Sequence, residues 1–141
     1  MSESEFLALE PRERDALVAE KVKGWTNIRW DAGTTWMRDC LDAWIGEPPE
    51  GEPYNNWPES LYEFTTDISA AWQVVGKMRE EGWTGYVEWV PGFGFGAEFS
   101  RGDSNLPGPG FEWGDSPIMI PERTAPLAIA IAALKAKGVI E

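Results

Sequence analysis

The clearest periodicity in the chain runs from Thr65 to Trp83. There Ile68, Ala71, Trp72, Val75 and Met78 recur at the spacing of one helical face. Thr66 is the predicted N-cap, since its hydroxyl can accept from a free N–H of the first turn. Asp67 places negative charge at the positive end of the helix, and Lys77 and Arg79 sit near the end that favours cations. Gly82 suits the left-handed position just past the helix, with Trp83 folding back as its apolar partner. In this reading Trp72 is buried against a sheet. A second helix is expected over Arg12 to Lys23, with Pro11 at its first position. Ala16, Leu17, Ala19 and Val22 form its apolar strip, and Gly24-Trp25 closes it. A third begins at Thr124. Leu127 to Ala136 is nearly all Ala, Ile and Leu, which predicts a mostly buried helix, stopped by Gly138.

Elsewhere the period changes from helical to alternating. Thr26 to Arg38 has β-branched and aromatic residues on both sides of Asp31-Ala32-Gly33-Thr34, a hairpin signal. Asp39 to Ile45 fits either a strand or one helical turn. Gly46 to Ser60 is an acidic, Pro-rich loop by composition. Thr84 to Val90 alternates as a strand, with Tyr86 and Glu88 on one face and Val87 and Trp89 on the other. Pro91-Gly92 breaks it. Phe93, Phe95, Ala97 and Phe99 then alternate with small or polar residues in a pairing strand. Arg101 to Ser116 is a second irregular segment, and Pro117 to Ile120 a short edge strand. The expected fold is α+β: one domain over 1–141, with an antiparallel sheet of about four or five strands and helices on both faces.

Charge and composition narrow the chemistry. The net charge is −12, and no Lys or Arg stands between Asp39 and Glu63. Phosphate backbones and anionic membranes need clustered cations, so neither direct nucleic-acid binding nor membrane binding is expected. With no histidine and only Cys40, the chain cannot build a Ser-His-Asp or Cys-His site, nor a zinc site based on those ligands. Acid-base work would fall to carboxylates, Lys or Tyr. The longest apolar run, Ala125 to Leu134, is too short to span a bilayer. The acidic opening MSESEF argues against a signal peptide, and one cysteine fits a reducing compartment.

Three segments in this order resemble the phage ABA sandwich domain family, small bacteriophage proteins. They are Leu9 to Val22 with Gly24-Trp25, Thr65 to Val75, and Thr124 to Ile129 with Ala132 to Leu134. The resemblance implies a sheet with helices on both faces. It also implies phage origin and a setting in the cytoplasm of an infected bacterial host. It implies no catalytic residue. The acidic stretch Asp39 to Glu63 is longer than the family pattern.

Among candidate sites, Asp31, Asp39 and Asp42 lack the spacing of a calcium loop and read as solvated charge. Glu88 and Glu98, on neighbouring strands, could do acid-base work but read better as outward residues of a wet strand edge. Gly92 to Gly96 makes a turn rather than a phosphate cradle. No catalytic residue, metal site or cofactor follows from the sequence. The loop aromatics stand out: Tyr54 and Trp57 with Asn55 and Asn56, and Phe111 and Trp113. Exposed Tyr and Trp serve recognition well, and amides both donate and accept. The expected function is non-catalytic binding of a host protein or a small molecule through these residues, with counter-defence as a role by analogy. The alternative is an acidic mimic that occupies a host DNA- or RNA-binding protein.

Overall fold

A computed structural model describes residues 1–31, 43–49, 59–92, 94–101 and 124–141. The chain is α+β. Its opening residues form helix α1 (Glu3–Ala8). Ser2 accepts from the Glu5 N–H while the Glu5 carboxylate accepts from the Ser2 N–H, which fastens the first turn and delivers Phe6 to the core. Helix α2 (Pro11–Val18) runs on into a π-helical turn over Ala19–Lys23. Gly24 ends it at φ 76°, and the Trp25 N–H closes the wide turn on the Ala19 carbonyl at 2.9 Å. Trp25 is thereby carried inward to 2 % exposure, edge-on to Tyr62 and Phe64.

Helix α3 (Ile68–Glu80) corrects two expectations. Its N-cap is Asp67, which accepts from the Ser69 N–H, not Thr66. Its buried face is Ala70, Ala71, Val74 and Met78, whereas Ile68 is 43 % and Trp72 54 % exposed. The cause lies in the neighbour. Helix α4 (Ala125–Ala136) is capped by Thr124 and buried from Pro126 to Leu134 except for Leu127, which is partly buried. Alanines on both helices permit close packing, while a tryptophan between them would hold the axes apart. The side of α3 with the smaller residues therefore turns inward. At the far ends, Lys137 pairs with Glu81, a bond that holds the Glu81 carboxyl below its ordinary value. Gly82 and Gly138 take φ of 87° and 73°, as their cap positions require.

The strands divide into two sheets among the described residues, where one was expected. Strands β1 (Thr26–Asp31), β2 (Ala43–Glu47) and β3 (Glu59–Ser60) form one antiparallel sheet in that order. Of the ambiguous segment Asp39 to Ile45, Ala43 to Ile45 is strand and the rest lies outside the described residues; the two ends of the expected 46–60 loop, Gly46-Glu47 and Glu59-Ser60, belong to β2 and β3. The described partner of β1 is β2; the predicted hairpin return and the 117–120 strand lie outside the described residues. Strands β4 (Trp83–Val90) and β5 (Gly94–Arg101) make the second sheet, with Tyr86 opposite Glu98 and Glu88 opposite Gly96. Gly85 is needed here, because a Cβ would strike the Phe99 ring. Trp83, Val87, Ala97 and Phe99 turn one face of this pair to the shared core.

A buried polar tie joins α2 to the segment before α3. Asp15 is fully buried, pairs with Arg12 at 2.7 Å and accepts from the Thr65 N–H and hydroxyl at 2.8 and 2.7 Å. Arg12 also donates to the Leu61 carbonyl at 2.5 Å. Asp15→Ala strands these donors in the interior, so a loss of roughly 3 kcal/mol is expected in denaturant melts; a loss under about 1 kcal/mol would mean the tie is replaced by water. In the same assay Trp25→Ala should cost about 3–5 kcal/mol, whereas Trp72→Ala at low micromolar protein should stay within about 0.5 kcal/mol of wild type.

Candidate functional site

The aromatics and amides singled out in the sequence, Tyr54, Asn55, Asn56, Trp57, Phe111 and Trp113, lie outside the described residues, as do Asp39, Cys40 and Asp42. Among the described residues three tryptophans stand more than half in solvent: Trp30, Trp72 and Trp89. Each projects from regular secondary structure. Trp30 on β1 lies opposite Trp44 on β2, with ring centroids 6.1 Å apart in an edge-on contact. Trp44 packs against the core, so it anchors the outer ring. Trp89 on β4 lies opposite Phe95 and is 61 % exposed. It occupies the face whose earlier members, Trp83 and Val87, pack inward, and thus extends beyond the core's cover. Trp72 stands on the outer side of α3. Sequence periodicity missed it because Trp72 also fits an apolar helical stripe.

The opposite face of β4 and β5 holds Tyr86, Glu88 and Glu98. Register sets Glu98 opposite Tyr86 and diagonal to Glu88. The expectation of a wet strand edge is not met: both glutamates are half-buried, and one oxygen of each is shielded from solvent without a hydrogen-bond partner. Burial, with smaller contributions from the charges of Glu88 and Glu98, raises the Tyr86 phenol above its ordinary value. The face offers acceptors where water is scarce, a setting suited to a cationic or hydrogen-bond-donating group. Among the described residues no three metal-ligating side chains converge.

A third feature is a shallow open groove of about 550 Å³ between α2 and α3, lined by Arg12, Leu61, Tyr62, Glu63, Asp67 and Gln73. Arg12 is committed to Asp15 and Leu61 there, so the groove's remaining charged lining, Glu63 and Asp67, is acidic. No helix of the described residues is long and apolar enough to cross a membrane.

The Tyr86 arrangement has a titration signature. A difference titration of ultraviolet absorbance between wild type and Tyr86→Phe should show a phenol ionising above 10.0. Glu88→Gln with Glu98→Gln should bring it only part of the way down, because burial is the larger cause. The group contributes stability that is present below its unfolded value and lost as pH rises through the folded one. Titration at the ordinary value would contradict the geometry.

No family model matches the chain, and no curated protein matches it. A solved structure, a phage protein from Bacillus cereus ATCC 14579, is similar at 20 % identity, covering 95 % of this chain and 93 % of that one, with a TM-score of 0.46. The resemblance to the phage ABA sandwich family therefore rests on the three helical segments that carry it.

Proposed function

We propose that the protein is a bacteriophage accessory protein that binds, without catalysis, a host protein or a small molecule. The observation that carries the binding reading is the set of tryptophans held more than half in solvent by strands and a helix. A tryptophan has a large surface to bury and little side-chain entropy to lose, so it contributes strongly when a partner covers it. The phage assignment rests on the helical segments described above. Counteracting a host defence is a role such a protein would serve, by analogy alone. The lack of histidine favours binding over catalysis.

The net charge of −12 favours a second reading, a nucleic-acid mimic that occupies a host DNA- or RNA-binding protein. Salt separates the two. Tagged full-length protein is used to capture partners from infected-host lysate, with mass spectrometry of proteins and small molecules in the eluate. Capture through tryptophan should survive about 0.5 M salt, where charge attraction is largely screened. It should fall at least about tenfold in Trp30→Ala or Trp89→Ala, the loss typical of a buried aromatic anchor. Folded variants that both capture as wild type would remove this reading. Loss of capture with salt alone would favour the mimic.

A further inference from the structure

We draw no further inference here: the strongest candidate, the side-chain cluster of Tyr86, Glu88 and Glu98 on the outer face of the β4–β5 pair, belongs to the site already described, and its carboxylates are only half-buried, with no second feature among the described residues that points to a ligand.

Discussion

A helix that is apolar on every side must be covered on every side, and α4 imposes that demand on the whole chain. Residues Ala128 to Leu134 are all buried. The cover comes from the Ala70, Ala71, Val74 and Met78 side of α3, from the Val87 and Phe99 face of the β4–β5 pair, and from the π-helical turn after α2. Among the described residues, the strands that pack most on α4 are β4 and β5.

The other half of the core hangs on one buried carboxylate. Asp15 receives Arg12 and two donors of Thr65, and Arg12 in turn holds Leu61. This fixes the segment that carries Tyr62 and Phe64 against Trp25. The desolvation of Asp15 is offset only while every partner stays in place, so the tie specifies a geometry more than it adds net stability. The adjoining π-helical turn carries Ala19, Val22 and Trp25 into the same cluster.

The surface follows from what these demands leave over. Small residues had to face α4, so Trp72 was turned outward. The β4–β5 pair extends past the core, so Trp89 was left uncovered. Both faces of that pair are used: one packs, while the other sets Tyr86 among two glutamates that each keep a shielded oxygen unbonded. The surface of this acidic protein thus carries exposed indoles and half-buried carboxylates.

Local chemistry was readable directly. The helices starting at Pro11 and Thr124 and the one ending at Gly82 are marked by caps and glycines whose effects are confined to one turn, and Gly24, Gly82 and Gly138 take the positive φ their positions imply. The alternation in β4 and β5 likewise places Tyr86 and Glu88 together, because strand period depends on the backbone alone. The candidate site was less legible. Its loop aromatics lie outside the described residues, while Trp30 and Trp89 read in sequence as ordinary strand positions. The inward face of α3 could not be read either, since Ile68-Trp72-Val75 and Ala71-Val74-Met78 are neighbouring stripes of one helix. The close approach of α4 chose between them. The sequence by itself determined three of the helices, the β4–β5 pair and the glycines that end the helices; α1, β3 and the strand at Ala43 to Ile45 were not legible in it. Tertiary structure decided which side each element buries and how the strands divide, because those choices depend on the shape and size of a neighbour far away in the chain.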